Sequence, residues 1–111
     1  MELDHGHRLS KLVCIYEMTG TALLVYAVNV SNGDPFAIAF TLFTCILITG
    51  PVSGGHCNPA VTTGVFMSEK KWKKHYLLYL EIMAAQFIGG IIGVIMAFVC
   101  LTNGNFTKDY D

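Results

Sequence analysis

Residues 53–64 read Ser-Gly-Gly-His-Cys-Asn-Pro-Ala-Val-Thr-Thr-Gly, and this glycine-rich stretch decides the fold of the chain. Asn58 is a favourable N-cap residue and Pro59 suits a first helical turn, so the stretch predicts a helix that begins here. The predicted helix continues only to about Met67, which gives it a length of roughly 13 Å. Because the hydrocarbon core of a bilayer is about 30 Å thick, such a helix crosses only half of it.

The composition indicates a membrane protein, because 53% of the 111 residues are hydrophobic and only 14% are charged. The apolar residues form three blocks, which predict membrane spans at 12–30, 36–50 and 76–101. The first and third blocks are long enough to span. The second is short, and we interpret it as a span because of its neighbours. Gly50 and Pro51 are predicted to end it, and the loop and half-helix then occupy 51–67.

A glycine loop at membrane depth is tolerated only where it is buried in protein or lines a wet cavity, so the loop predicts a pore. The half-helix directs its positive N-terminal end toward the middle of the bilayer, which repels cations. There the side-chain amide of Asn58 can donate a hydrogen bond to a passing solute. The natural acceptors are the backbone carbonyls of four neighbouring loop residues: Gly54, Gly55, His56 and Cys57.

Glu17 lies inside the first apolar block, and a carboxylate there usually faces the bundle interior. Gly20, Thr21 and Leu24 share its helical face, which forms a small, polar stripe suited to close helix packing. We therefore expect Glu17 to have a partner inside the protein. A glutamate that snorkels or is merely paired near the cytoplasmic end is the alternative.

Rows of small residues at i+4 spacing predict close helix packing in the other two spans. The second span carries the row Ala37, Thr41, Cys45 and Thr49. The third span carries the row Glu81, Ala85, Gly89, Gly93 and Ala97, and this face must meet another helix. Glu81 lies toward the lysine cluster, so we expect it to pair there at the membrane interface.

The basic residues predict the topology. Arg8, Lys11 and the four lysines of segment 68–74 place six of the seven basic residues on one side, and only Lys108 lies on the other. The N-terminal tail, 1–11, and segment 68–74 are therefore expected in the cytoplasm, and residues 102–111 outside. Trp72 is expected to be an interfacial anchor. Binding of lipid headgroups or of a partner is the alternative reading of this lysine-rich segment.

Other classes of function find little support. The spread of the basic residues provides no nucleic-acid patch, and the cysteines, Cys14, Cys45, Cys57 and Cys100, show neither a disulfide framework nor metal-ligand spacing. We expect no cofactor and no enzymatic activity. Cys57 beside His56 is the one candidate pair for an intramembrane hydrolase. A soluble helical protein with a core histidine is a further alternative. Asn105 fits the glycosylation pattern, but a chance match is expected.

Three segments resemble the major intrinsic protein family, the aquaporins and aquaglyceroporins. They are Ser-Gly-x-His-x-Asn-Pro-Ala-Val-Thr at 53–62, the first-helix stretch at 16–25, and Ala-Gln-Phe-Ile-Gly-Gly at 85–90. The resemblance covers nearly the whole chain. It implies an all-α membrane protein with three transmembrane helices plus one re-entrant half-helix over residues 12–101, which is the first inverted repeat of an aquaporin-like bundle.

The resemblance also implies a passive channel for water or small neutral solutes such as glycerol. The pore-lining positions carried over are Gly54, Gly55, His56, Cys57, Asn58, Pro59 and Ala60. Ile38 falls on a filter position that is often aromatic or histidine in the family, and this departure puts an orthodox water filter in doubt. Glu17 is implied to hydrogen-bond the backbone of the re-entrant loop, and Gln86 is expected to give structural support.

The family joins two inverted halves, and this sequence supplies only the first. We therefore expect a fragment or truncated product that needs a second half, in a homo-tetramer when full length. The alternative is a non-conducting truncated membrane subunit. Such a subunit would pack through the 81–97 face onto full-length channels and modulate them.

Overall fold

A computed structural model describes residues 2–103 of the backbone and the side chains from Gly6 to Asn103. This part of the chain is all-helical, and it contains four helices: α1 (Glu2–Val30), α2 (Pro35–Ser53), α3 (Pro59–Glu69) and α4 (Trp72–Asn103). Of the expected outer segment, residues 104–111, with Asn105 and Lys108, lie outside the described residues.

Three of the helices are long and apolar enough to cross a membrane, over Gly6–Val30, Pro35–Ser53 and Trp72–Asn103. Helix α3 has 11 residues and a length of about 16 Å, so it covers only half of a bilayer. The predicted fold class, three spanning helices with one half-helix, is confirmed.

The helices extend beyond the predicted apolar blocks. Helix α1 begins at Glu2 rather than near Leu12, and α4 begins at Trp72 and continues to Asn103. Helix α3 continues past Met67 to Glu69. The apolar blocks mark the part of each helix suited to hydrocarbon, and the helices themselves continue into polar sequence.

The prediction that Gly50 and Pro51 end the second helix is wrong. Helix α2 includes both residues and ends at Ser53, where Gly54 adopts a left-handed conformation with φ 91°. The N–H group of Gly54 donates to the carbonyl oxygen of Gly50 at 3.0 Å and so closes the helix end. Pro51 removes one backbone donor, but this loss falls in the last turn, where little helix remains to be disrupted.

Cross-helix contacts establish how the helices run. Ser10 contacts Glu81 near one end of α1 and α4, and Tyr26 contacts Cys100 near the other, so these two helices are parallel. Helix α2 is antiparallel to α1, because Cys45 reaches Gly20 while the later residue Ser53 reaches the earlier residue Glu17. Helix α3 packs antiparallel against α4. The contacts that show this are Thr62 with Gln86, Thr63 with Met83, and Phe66 with Tyr79.

The small-residue row of α4 packs against α1. Its members Ala85, Gly89, Gly93 and Ala97 are buried. A Cβ atom on Gly89 would overlap the carbonyl oxygen of Met18, and one on Gly93 would lie 2.5 Å from the carbonyl oxygen of Ala22. The two backbones therefore approach as closely as glycine permits.

This packing corrects two expectations. The 81–97 face is covered by α1 of the same chain, so it is not free to bind another channel. Glu81 lies at the exposed end of this face, and it accepts a hydrogen bond from the hydroxyl of Ser10 at 2.6 Å. It was expected to pair with the lysine cluster, but the parallel arrangement of α1 and α4 brings the Ser10 hydroxyl within its reach.

We expect Gly89→Ala to lower the free energy of unfolding by about 2 kcal/mol, because the added methyl group forces α1 and α4 apart. The measurement is reversible unfolding in mixed micelles by titration with a denaturing detergent, followed by circular dichroism. The matched control is Gly90→Ala on the same helix, whose added Cβ would have only Val25 at 4.0 Å. Equal effects of the two substitutions would contradict this account of the interface.

Candidate functional site

The loop between α2 and α3, residues 54–58, has an unusual backbone. Gly54, Gly55 and Cys57 have φ values of 91°, 68° and 49°. At Gly55 a Cβ atom would lie 3.3 Å from the Cα atom of Gly50, so both conformation and space favour glycine there. The glycines thus let the chain turn sharply beside α2.

Asn58 begins helix α3 as the sequence predicts. Its side-chain Oδ1 accepts a hydrogen bond from the N–H group of Ala60 at 2.8 Å, and Pro59 occupies the first turn. This bond fixes the orientation of the amide group. The Nδ2 group of Asn58 donates to no residue within 2–103, and the side chain is exposed. The asparagine therefore caps the helix with one atom and offers two N–H bonds with the other.

The carboxylate of Glu17 holds the loop, and its residue is completely buried. Oε1 accepts hydrogen bonds from the hydroxyl of Ser53 at 2.5 Å and from the backbone N–H of His56 at 2.9 Å. Oε2 accepts from the backbone N–H of Cys57 at 2.6 Å and from Nε2 of Gln86 at 2.9 Å. Bonds to the loop backbone, which the resemblance implies for Glu17, are therefore present, and the residue does not snorkel.

These four bonds explain how a carboxylate can be buried at this depth. Glu17 lies about 16 Å along α1 from Gly6 and about 20 Å from Val30, close to the middle of the candidate span. A hydrogen bond to a charged group contributes about 1.5–3 kcal/mol, so four of them together offset the several kcal/mol needed to bury an ion. The loop backbone in turn gains acceptors for two amides that would otherwise lack them.

Gln86 extends the network from α4 to α3. Its Nε2 donates to Glu17 and also to the hydroxyl of Thr62 at 2.9 Å, and Thr62 lies 3.0 Å from Nδ1 of His56. The amide is oriented by Glu17, because the reverse orientation would place the Gln86 oxygen against the carboxylate. The Oε1 atom is consequently buried without a hydrogen-bond partner among the described residues.

Cys57 contributes its backbone to the loop, and its side chain packs between α1 and α2. The Sγ atom lies 3.7 Å from the hydroxyl of Thr49, and a Cβ atom on Gly20 would be only 2.5 Å from it. The imidazole of His56 is bonded to Thr62 instead. The structure therefore does not assemble Cys57 and His56 into the nucleophile and base that a hydrolase would require.

The carbonyl oxygens of residues 54–57 accept no hydrogen bond from residues 2–103, although Cys57 itself is buried. Gly54, Asn58 and Ala60 are exposed, while Pro59 is half-buried. Free acceptors and the free amide of Asn58 therefore lie next to each other at the start of a half-helix.

Ile38 does not join this cluster. It is half-buried near the start of α2, and it precedes Ser53 by about 22 Å of helix. A filter position there would be a separate constriction, closer to the end of the bundle where α1 ends.

Two residues of the network were given no role by the sequence: Ser53 and Thr62. Both are buried or half-buried and bond to charged or polar neighbours. Thr62 lies four residues after Asn58, on the same face of α3, and its hydroxyl also donates to the carbonyl oxygen of Asn58. This i+4 spacing from Asn58 is the sequence feature from which a role for Thr62 could have been predicted. Ser53 gives no such signal, because its role depends on where α2 ends.

Glu17→Gln is expected to lower the free energy of unfolding by about 3 kcal/mol, because an amide has one oxygen and its NH₂ group would face other donors. Detergent-induced unfolding again provides the measurement. Glu81→Gln is the matched control, an exposed helical glutamate with one hydroxyl partner, and it should change the value by less than about 0.5 kcal/mol. A Glu17 variant as stable as this control would show that the loop does not depend on the carboxylate.

Comparisons with known proteins agree with this architecture. A sequence model of the family described as Major intrinsic protein matches residues 7–109. The chain is 45% identical over 62 residues to aquaporin PIP2-4 of Oryza sativa subsp. japonica. The aligned segment covers 56% of this chain and 21% of the relative. Over the same length and the same shares it is 42% identical to aquaporin PIP2-7 of Musa acuminata and 40% identical to aquaporin PIP2-1 of Arabidopsis thaliana.

The matched segment spans about a fifth of the length of these curated relatives. No solved structure gives a significant match. The family match nevertheless covers nearly the whole chain, and the three apolar helices and half-helix agree with it. The chain belongs to the major intrinsic protein family and is an integral, multi-pass membrane protein.

Proposed function

We propose that this chain forms half of a passive transmembrane channel for water or small neutral solutes such as glycerol. The observation that carries the proposal is the loop at 54–58. Its free carbonyl oxygens adjoin the unpaired Nδ2 group of Asn58, at a helix start held near the middle of the span by Glu17. Acceptors and a donor side by side can replace the hydration of a neutral solute. The proposed pore residues are Gly54, Gly55, His56, Cys57, Asn58, Pro59 and Ala60.

The charges around the loop are consistent with exclusion of cations. The N-terminal end of α3 carries roughly half a positive charge from its dipole. Among the residues that the structure describes, Glu17 is the one carboxylate at this depth, and its two oxygens accept hydrogen bonds from four donors of the protein. A cation at the loop would therefore meet the positive helix end without a compensating free carboxylate.

The proposed pore needs a second set of helices. Asn58, Ala60 and Val61 are exposed at the start of α3, and polar backbone at membrane depth must be buried in protein or line a wet cavity. We propose that an inverted second half covers this surface and completes the pore. Assembly into a homo-tetramer and a narrow filter that includes Ile38 also belong to this proposal.

The proposed orientation places the N-terminus in the cytoplasm. Because α1 and α4 are parallel, their N-terminal ends lie at the same end of the bundle. That end carries Arg8, Lys11 and the four lysines of segment 68–74, which is the charge bias of a cytoplasmic side.

A non-conducting membrane subunit is the second candidate. The observation that favours it is the open pore wall, since α3 contacts α4 on one side while Asn58 and Ala60 are exposed on the other. Such a subunit would bind full-length channels through the surface that an inverted second half would cover. It would not use the 81–97 face, because α1 occupies it.

Osmotic water permeability distinguishes the two candidates. The chain is reconstituted in phospholipid vesicles, and vesicle shrinkage after an osmotic step is followed by stopped-flow light scattering, with glycerol uptake as a second measurement. If the chain forms half of a pore, we expect shrinkage several-fold faster than in empty vesicles once the chain is co-reconstituted with a segment that supplies the inverted second half. Shrinkage at the rate of empty vesicles, with altered permeability only when a full-length aquaporin is co-reconstituted, would support the subunit.

Asn58→Ser separates the capping role of Asn58 from its role as a donor. Serine is as good an N-cap as asparagine but lacks the second donor group, so we expect stability to change by less than about 0.5 kcal/mol. Water permeability of a conducting preparation should fall several-fold, because the pore loses a fixed donor. Asn29→Ser, at the exposed end of α1, is the matched control and should conduct normally. Unchanged permeability of the Asn58 variant would remove this residue from the proposed pore.

A further inference from the structure

The corner between α3 and α4 carries a concentrated positive charge. We call residues 70–74, Lys70-Lys71-Trp72-Lys73-Lys74, the lysine corner. All five residues are exposed, and together they line a shallow, open hollow of about 370 Å³. Lys70 adopts a left-handed conformation with φ 57°, which turns the chain sharply after α3. The turn brings the four lysines and Trp72 together around one hollow.

The start of α4 adds to the positive field of the lysine corner. Its first turn holds no acidic residue, so its dipole is not compensated by a side chain. The carbonyl oxygen of Lys71 accepts hydrogen bonds from the backbone N–H groups of Lys74 and His75. The N–H groups of Trp72 and Lys73 come before these first bonds of the helix, so they have no intrahelical partner. Helix start and ammonium groups therefore both attract an anion.

Glu69 is the acidic residue that directly precedes the lysine corner in the sequence, and one carboxylate against four lysines leaves a net positive charge. Its side chain lines a separate hollow together with Lys71, His75, Leu78 and Tyr79. Lys11 is exposed at the same end of the parallel α1 and α4 pair and adds a further positive charge there.

The position of the lysine corner relative to the membrane indicates the source of the anion. Trp72 is 50% exposed and Tyr76 is 49% exposed, and the apolar part of α4 follows directly. Tryptophan and tyrosine mark the level of the lipid headgroups. The lysine corner is therefore at the depth of lipid phosphates, and its indole wall suits a ligand that has both a charged head and an apolar stem.

We propose that the lysine corner binds the headgroup of an anionic phospholipid. The ammonium groups and the start of α4 hold the phosphate and carboxylate oxygens, while Trp72 packs against the glycerol and upper acyl region. The binding depends on the membrane insertion of the chain and not on conduction, so it is independent of the proposed pore.

Trp72 provides the reporter, because it is the only tryptophan of the chain. The chain is reconstituted in phosphatidylcholine vesicles that contain either brominated phosphatidylserine or the same amount of brominated phosphatidylcholine. Bromine quenches indole fluorescence only at close range. One lysine near an anionic surface contributes about a five-fold gain in affinity, so we expect the relative binding constant for phosphatidylserine to be at least about five-fold higher. Equal quenching by the two lipids would overturn the proposal.

Charge variants test whether the lysines are responsible. Replacing all four lysines by glutamine should reduce the preference to less than about two-fold, and replacing all four by arginine should retain it. If the glutamine variant is not recovered folded, Lys73→Gln with Lys74→Gln serves instead, compared with Lys73→Arg with Lys74→Arg as the control that keeps both charges. A folded glutamine variant that keeps the preference would overturn the proposal.

A competition experiment excludes a soluble anion. Inorganic phosphate at a few millimolar should leave the quenching by brominated phosphatidylserine unchanged, because the apolar stem of the lipid is held by the bilayer and the indole. Displacement at this concentration, with no preference among lipids afterwards, would assign the site to a free phosphate compound and contradict the lipid proposal.

Discussion

The buried carboxylate of Glu17 is the interaction on which the rest of the structure depends. It belongs to α1, yet its four donors come from the end of α2, from the loop and from α4. One ion therefore fixes the relative positions of three helices and holds two backbone amides of an irregular segment. In apolar surroundings the arrangement is mutually required, because neither the ion nor the amides can be buried alone.

Small residues make this central position of α1 possible. Gly20 leaves room for the sulfur of Cys57, while Gly89 and Gly93 of α4 admit the backbone of α1 at near-contact distance. Glu17 and Gln86 are brought within hydrogen-bond distance by this close approach. The packing of the helices and the polar network therefore depend on each other, because the glycines allow the close approach that brings the donors to Glu17.

The sequence predicts those features of the fold that depend on local chemistry or on membrane depth. The helix start at Asn58 follows from a cap and a proline, and the need of Glu17 for partners follows from its place in an apolar block. The end of α2 was missed because it depends on the left-handed Gly54, and not on Pro51. The roles of Ser53 and Thr62 and the pairing of Glu81 with Ser10 arise only when residues distant in the chain meet. No local pattern contains that information.

The separation of the partners of Glu17 along the chain has a consequence for biosynthesis. Glu17 is made first, and Gln86 follows only 69 residues later. An α1 helix that enters the bilayer before the loop exists carries a carboxylate without donors, at a disadvantage of about 2.5–3.5 kcal/mol on insertion scales. The apolar residues of α1 must offset this cost until the donors of Ser53, the loop and Gln86 arrive. The insertion of the loop and α4 is then the step that gives the Glu17 carboxylate its hydrogen-bond donors and stabilises α1 in the membrane.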